Sequence, residues 1–129
     1  MVSTHPPRLY SVDYLCCDEL AVLTPLAIIA TFADVLARAG ATVVDTVSHA
    51  FPGAGLTSVL ILQESHAVIH TWPETGTVHV DIFSCSPRLR AREAVEHLRL
   101  YLGARDVTVQ EIRRADGHQT VGLRALATS

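Results

Sequence analysis

Apolar residues recur with the period of an α-helix in two regions of the chain. The first region begins after Thr24-Pro25, a typical N-cap and first helical residue, and ends at Gly40. The second begins at Ser86-Pro87 and ends at Gly103. The sequence therefore predicts two amphipathic helices. Their predicted apolar faces are Leu26, Ile29, Phe32, Ala33 and Leu36 in the first helix, and Ala91, Ala94, Val95, Leu98 and Leu102 in the second.

Short runs rich in β-branched and aliphatic residues predict strands around these helices. An extended segment at residues 9–15 precedes the first helix, and ATVVDTVSHAF and LTSVLIL follow it, joined by the turn-like PGAG. HAVIHT, a turn at residues 73–76 and VHVDIFS come next, and DVTVQEIRR follows the second helix before a polar tail. This order predicts an α+β fold, a two-layer sandwich in which a mainly antiparallel sheet carries both helices on one face. No linker or repeat interrupts residues 1–129, so we expect a single domain.

Composition and charge exclude several classes of function. The net charge is −3, which does not favour a nucleic-acid surface. All ten basic residues are arginine, and the absence of lysine excludes enzymes that hold pyridoxal phosphate or a substrate on a lysine. The N-terminal MVSTHPPRLY lacks the features of a signal peptide, and no apolar run is long enough to span a membrane. We therefore expect a cytoplasmic protein that contacts neither membrane nor nucleic acid.

The stretch QESHAVIHTWPE at residues 63–74 concentrates histidines, carboxylates, a serine and a tryptophan. A zinc site is one interpretation, but the chain has no HExxH or paired CxxC motif. A His-x3-His pair on a strand also places its two rings two alternations apart, and not on adjacent turns of a helix. A serine hydrolase is another, but G-x-S-x-G is missing. The adjacent Cys16 and Cys17 are a poor disulfide framework, so we expect reduced thiols and no metal. The side chains considered as ligands are His49, His66, His70, His79 and Cys85.

The segment ESHAVIHTWPE, followed by VDIFSC, resembles the short prokaryotic form of S-adenosylmethionine decarboxylase, a pyruvoyl-dependent family of spermidine biosynthesis. The resemblance covers residues 9–113 and includes HAFPGAGLTSVLIL. It implies a proenzyme that cuts itself between Glu64 and Ser65, leaving a β chain of residues 1–64 and an α chain of residues 65–129. It also implies that Ser65 becomes a covalent pyruvoyl group. This group would form a Schiff base with the amino group of the substrate, which requires neither lysine nor pyridoxal phosphate.

The same resemblance implies roles for individual residues. Ser65 would attack the carbonyl of Glu64, and His70 would be the base that removes the Ser65 α-proton and completes the cut. Thr57 occupies a position where the family often has a serine that assists processing. Cys85 would be the acid that protonates the substrate carbon after carbon dioxide has left.

Three further residues are implied in processing or substrate binding, with less specific roles. Asp13 matches an acidic position that lies near the substrate in the family. Trp72 and Glu74 belong to the signature, and they either contact the substrate or hold the turn. The family's short form is a dimer of cleaved protomers with its sites at the interface, so a homodimer is expected here.

Departures from the family pattern at Leu9, Ser58 and Ser86 leave more than one function open. They spare the processing residues but alter positions better suited to shaping the substrate pocket. S-adenosylmethionine is the leading substrate, and arginine or ornithine is the alternative, since a guanidinium needs carboxylates where an adenosyl group needs a stacking slot. A regulatory paralogue without activity and a binding module that never cleaves are the non-enzymatic hypotheses. The residues expected to be structural or exposed to solvent are Cys16, Cys17, His5, His97 and His118.

Overall fold

The computed structural model describes residues 6–115. Within that range the elements follow the order predicted from the sequence. His5, His118 and the polar tail after the last strand lie outside it. The elements are β1 (Arg8–Cys17), α1 (Pro25–Arg38), β2 (Val43–Ala50), β3 (Leu56–Leu62), β4 (Ser65–Trp72), β5 (Thr77–Ser84), α2 (Ala91–Leu102) and β6 (Ala104–Arg113), with a short 3₁₀ turn at Leu20–Val22.

The described strands form one sheet in which all neighbours are antiparallel. Their order is β2-β3-β4-β5-β1-β6, so the first strand of the chain lies between two strands from its second half. Both helices pack on one face, where Leu60 and Ile69 of the sheet join Phe32 and Leu98 of the helices in the core. The predicted two-layer α+β sandwich is therefore confirmed.

Helix α1 begins where the sequence predicts, but its buried face is rotated from the predicted one. The Thr24 hydroxyl accepts a hydrogen bond from the Ala27 amide at 3.2 Å, which caps the first turn. Leu26 is 79% exposed, so its predicted place in the core is wrong. Apolar residues surround the first turn on all sides, and periodicity alone cannot select among them. The buried residues are Ile28, Phe32, Val35 and Leu36.

Helix α2 begins at Ala91, so the start predicted at Ser86-Pro87 is wrong. Residues 86–90 instead form a connection that is fastened to the end of α1. The Arg90 amide donates to the Ala39 carbonyl and its guanidinium to the Arg38 carbonyl, both at 2.8 Å. Gly40 has a φ of 108°, and a Cβ there would lie 2.3 Å from the Arg88 carbonyl oxygen, so this approach requires glycine. The apolar face predicted for α2 and its end at Gly103 are confirmed.

The two faces of the sheet have different surroundings. On the helix side Tyr14 is fully buried, its hydroxyl donates to the Val95 carbonyl at 2.8 Å, and burial raises the pKa of its phenol. On the opposite side, here called the open face, no described helix covers the sheet. No helix in residues 6–115 has both the length and the apolar character needed to cross a membrane. Large apolar side chains exposed on the open face are Leu15, Val47, Ile61, Trp72 and Ile112.

Cys16 provides a test of backbone strain at the end of β1. Its φ is 54°, a left-handed conformation in which a Cβ costs about 1 kcal/mol. We expect Cys16→Gly, made in a Ser65→Ala chain that is expected to remain uncut, to raise the free energy of unfolding by about 1 kcal/mol in urea titrations. Cys16→Ala keeps the Cβ and is the matched control. An equal gain in the alanine variant would contradict the strain argument.

Candidate functional site

The predicted cleavage position lies in a tight turn between two paired strands. Only Gln63 and Glu64 connect β3 to β4, and Leu62 pairs directly with Ser65 across the turn. Glu64 has a φ of 61°, a conformation that costs a non-glycine residue about 1 kcal/mol. The Gln63 amide donates to the Thr42 carbonyl at 2.9 Å, which fastens the turn to the loop after α1. The bond between Glu64 and Ser65 is thus held in a fixed, strained turn.

Ser65 faces the helix side of the sheet and is directly opposite Ser84 on β5. Its hydroxyl donates to the Ser84 hydroxyl oxygen at 3.3 Å. Ser84 is only 7% exposed, and its oxygen also accepts the Ser86 amide at 3.0 Å. The hydroxyl predicted to be the nucleophile is therefore bonded to a buried oxygen of the neighbouring strand.

Cys85 contacts the carbonyl predicted to be attacked. Its Sγ donates to the Glu64 carbonyl oxygen at 2.9 Å. A donor in this position polarises the carbonyl and stabilises negative charge that develops on its oxygen. A cavity of about 350 Å³ adjoins the turn, and it is lined by residues 40–42, 62–65 and 86–89. Glu64, Ser65 and Cys85 are thus brought together.

Thr57 and His70 form a second group, on the open face. They are directly opposite each other on β3 and β4, and Thr57 Oγ1 lies 3.0 Å from His70 Nδ1. A cavity of about 530 Å³ adjoins this pair, and its lining is mainly apolar. Trp72, Glu74 and Phe51 also line it. Four residues named from the sequence therefore meet here: Thr57, His70, Trp72 and Glu74.

A line of polar residues, here called the polar row, crosses the open face through this group. The strand register places its members side by side in the order His49, Thr57, His70, His79, Asp13 and Thr108. Trp72 Nε1 donates to His79 Nδ1 at 3.2 Å, and His79 Nε2 lies 3.9 Å from Asp13 Oδ1. Because Nδ1 accepts this bond, the proton of a neutral His79 is on Nε2, which faces the Asp13 carboxylate.

The two groups are separate within one chain. Ser65 faces the helices and His70 faces the open side, since the two residues are five positions apart on β4 and alternate residues of a strand face opposite sides. Five residues of extended strand also span about 16 Å. His70 therefore does not reach Ser65 of its own chain in this conformation.

The other polar residues considered from the sequence do not join either group. Cys16 is exposed, and burial raises the pKa of the Cys17 thiol to about 11, which keeps that thiol protonated and unreactive near neutral pH. His97 is exposed on α2. In residues 6–115 no three histidine, cysteine or acidic side chains are arranged to hold a metal ion.

Comparison with known proteins places the chain in a family. The sequence profile of the family described as S-adenosylmethionine decarboxylase matches residues 8–115. The chain belongs to the S-adenosylmethionine decarboxylase family. The profile spans every strand and helix of the described fold, and it includes both groups of site residues.

Individual relatives agree with this assignment. The chain is 35% identical over 109 residues to an S-adenosylmethionine decarboxylase proenzyme of Clostridium tetani, covering 84% of this chain and 86% of that protein. It is 36% identical over 107 residues to a proenzyme of the same name from Prochlorococcus marinus, covering 83% and 82%. The crystal structure of adenosylmethionine decarboxylase from Aquifex aeolicus has the same fold, with a TM-score of 0.73, 22% identity and coverage of 90% of this chain and 98% of that one.

The sequence alone does not reveal the contacts that Ser84 and His79 make in the candidate site. Ser84 bonds the Ser65 hydroxyl, and His79 bonds Trp72 and faces Asp13. Ser84 immediately precedes Cys85 in the VDIFSC motif, which is the only sequence signal for it. Both contacts cross from one strand to another, so they depend on the strand order and register.

Proposed function

We propose that the chain is a self-processing, pyruvoyl-dependent decarboxylase. It converts S-adenosylmethionine to decarboxylated S-adenosylmethionine, the aminopropyl donor for spermidine and other polyamines. The observation that carries the proposal is the Cys85 thiol on the Glu64 carbonyl oxygen, beside a bonded Ser65 hydroxyl. This arrangement is suited to an attack on a backbone carbonyl, and it occurs in a member of a family whose named relatives are proenzymes.

The residues around the turn fit the formation of a pyruvoyl group. Ser65 Oγ attacks the Glu64 carbonyl carbon, the peptide C–N bond breaks, and the chain is joined by an ester. A base removes the Ser65 α-proton, the Cβ–O bond breaks, and Glu64 leaves as a carboxylate. Water then replaces the nitrogen, which is released as ammonia. The turn favours the first step because breaking it relieves the conformation at Glu64, whose φ is 61°.

When formed, the pyruvoyl group supplies the carbonyl that accepts electrons as carbon dioxide leaves the substrate. The chain's own contribution to this step is a proton. The Cys85 thiol contacts the Glu64 carbonyl, next to the residue that carries the group, so it is placed to protonate the substrate α-carbon.

His70 acts on another copy of the chain in this proposal. Within one chain it lies on the opposite face from the Ser65 side chain and about 16 Å along the strand. The side chain and the α-proton of a residue point in different directions from its tetrahedral Cα. Because the Ser65 side chain faces the helices, its α-proton points away from the helix layer. A second copy packed on the open face would approach from that direction. The homodimer of cleaved protomers expected from the sequence therefore also completes the site.

The open face has the character of a protein interface. Val47, Ile61 and Trp72 expose large apolar side chains there, and exposed apolar surface of this kind is found at contact surfaces in soluble proteins. The occupant we propose is a second copy, because only a second copy supplies another His70 to Ser65. The cytoplasmic location expected from the N-terminal sequence stays a prediction.

The cavity beside His70 favours S-adenosylmethionine over arginine or ornithine. Its volume of about 530 Å³ suits a nucleoside-sized group, and Phe51 and Trp72 offer aromatic surfaces to a purine. Glu74 is its one acidic lining residue, which can bond ribose hydroxyls. A guanidinium group would leave most of this apolar lining without a matching partner. The cavity adjoins His70. In a dimer that places the His70 of one copy near the partner's Ser65, this cavity would therefore also lie near that serine.

Mixed dimers test whether the site is shared between copies. Ser65→Ala and His70→Ala are each expected to remain uncut when produced alone. Co-expressed with different tags, they should form dimers in which the intact Ser65 of one chain meets the intact His70 of the other. We expect the His70→Ala chain, and not the Ser65→Ala chain, to be cut, as measured by intact mass. Absence of any cut in a confirmed mixed dimer would contradict the shared site, while a cut in Ser65→Ala alone would overturn self-processing at Ser65.

Cys85 is expected to affect both the cut and turnover. Cys85→Ala removes a hydrogen bond worth about 1 kcal/mol and should slow the cut roughly fivefold after cell-free synthesis. The fraction that is cut should release carbon dioxide poorly, because the proton donor is missing. Cys85→Ser keeps a hydrogen-bond donor, so it should restore the rate of the cut more than the rate of turnover. Cys16→Ala removes a thiol outside the site and is the control. Wild-type rates of both reactions in Cys85→Ala would remove this residue from the mechanism.

The substrate proposal predicts a preference that the cavity controls. The cut protein should release carbon dioxide from S-adenosylmethionine and not from arginine or ornithine. Phe51→Ala should raise KM for S-adenosylmethionine about tenfold with a smaller change in kcat, since stacking of a base is worth about 1 to 3 kcal/mol. Leu26→Ala changes an exposed apolar residue on α1 and is the control. Preference for arginine or ornithine would instead support the alternative substrate.

A further inference from the structure

We infer that Ser84 is a positioning residue for the self-cleavage reaction: its buried hydroxyl oxygen orients the Ser65 hydroxyl for attack on the Glu64 carbonyl. This inference rests on the proposed function, since it concerns the same cut. It assigns a role to a residue that neither the family signature nor the resemblance singles out.

The hydrogen bonds at Ser84 define which atom donates and which accepts. The Ser86 amide donates to Ser84 Oγ at 3.0 Å, and the Ser65 hydroxyl donates to the same oxygen at 3.3 Å. A hydroxyl oxygen has two lone pairs, so these two donors use its full accepting capacity. The Ser65 proton is thereby directed toward Ser84, and the remaining lone pairs of Ser65 Oγ are left for the carbonyl carbon.

The position of Ser84 in the fold keeps this geometry fixed. Ser84 is the last residue of β5 and is directly opposite Ser65 in the register of β4 with β5. Its side chain is 7% exposed, so water does not readily replace it as the acceptor. Ser86, which supplies the second donor, also accepts the Arg88 amide on its hydroxyl at 3.1 Å. The Ser84 oxygen is therefore held by one backbone amide, and the residue that supplies this amide is itself held by the Arg88 amide.

Ser84 and Cys85 together position both reacting groups. Ser84 accepts from the nucleophile, and Cys85 donates to the oxygen of the carbonyl that the nucleophile attacks. The two residues are joined by one planar peptide unit, so the separation between the two contacts is restricted. Fixed placement of two reacting groups lowers the barrier to their reaction, and a small displacement raises it again.

The step that Ser84 assists consumes no external reactant. The Ser65 Oγ–C bond forms, the bond between the Glu64 carbonyl carbon and the Ser65 nitrogen breaks, and the hydroxyl proton ends on that nitrogen. Ser84 shares this proton at the start of the step and is itself unchanged at the end. Its effect should therefore be on the rate of ester formation alone.

The test compares rates of the cut in newly synthesised chains. We expect Ser84→Ala to be cut at least about fivefold more slowly than wild type, and Ser84→Thr, which keeps the hydroxyl, to recover most of the rate. Tyr14→Phe is the matched control, because it also removes a buried hydroxyl on the helix side of the sheet, one that bonds the Val95 carbonyl and not a residue of the site. All three changes are repeated in the Ser65→Ala chain, where unfolding in urea shows whether each protein is folded.

Hydroxylamine separates a positioning role from a general structural one. It cleaves an ester, so it releases a Glu64 hydroxamate from any chain that has completed the first step. His70→Ala, which lacks the base for elimination, should yield this product. Ser84→Ala should not, because its delay precedes the ester. Accumulation of hydroxamate in Ser84→Ala, or a wild-type rate of its cut, would overturn the inference.

Two further outcomes are informative. If Ser84→Ala does not fold, Ser84→Cys replaces the oxygen by a weaker acceptor of similar shape, and a wild-type rate in that variant would equally overturn the inference. If the wild-type chain is never cut, the proposed function fails and this inference fails with it. If the wild type is cut and Ser84→Ala is cut equally fast, only the role of Ser84 is lost.

Discussion

The antiparallel pairing of β4 with β5 determines where the chemistry of this chain lies. It places Ser65 opposite Ser84 at one end of the two strands and His70 opposite His79 near the other. A shift of the register by one residue would separate both pairs and would turn every side chain of β4 to the other face. Ala67 and Ile69, fully buried between these positions, oppose a one-residue shift because it would expose them to solvent. The core thus positions both functional groups.

The strand order also explains how the fold can survive a cut in its centre. The turn between β3 and β4 is at the midpoint of the chain, so the cut would leave β1, α1, β2 and β3 on one fragment and the remaining elements on the other. Across the sheet, however, β1 lies between β5 and β6. The two fragments are therefore joined at three seams, β3 with β4, β5 with β1, and β1 with β6. Both seams of β1 would have to open before the fragments could separate.

Much of this fold could be predicted from the sequence, because its elements are strongly patterned. All of the strands were placed correctly, and α2 was predicted to its last apolar residue and its terminal glycine. The start of α2 was missed since residues 86–90 are fixed by tertiary contacts with the end of α1, which no local pattern encodes. The face of α1 was misjudged because Leu26 follows the helical period but extends past the core.

The candidate site can be named from the sequence as a set of residues but not as an arrangement. Resemblance to a family supplied Ser65, His70 and Cys85, whereas their separation into two groups follows from strand alternation and from the length of β4. Ser84 and His79 contact partners on neighbouring strands, so identifying these contacts requires the sheet order. Local sequence specifies which face a residue occupies, and only the register specifies its neighbours.

The polar row has a further consequence for how a second copy can bind. On strands β2 to β4, the neighbouring row of the open face consists of Val47, Val59 and Val68, so a partner there would bury polar groups beside apolar ones. Burying a polar group is costly unless it is hydrogen-bonded. Thr57 already bonds His70, and His79 already bonds Trp72 and faces Asp13, so much of the row is paired before any partner arrives. The proposed dimer would therefore carry a smaller desolvation cost on this face, and the His70 ring, held through Nδ1, would present Nε2 to the other chain.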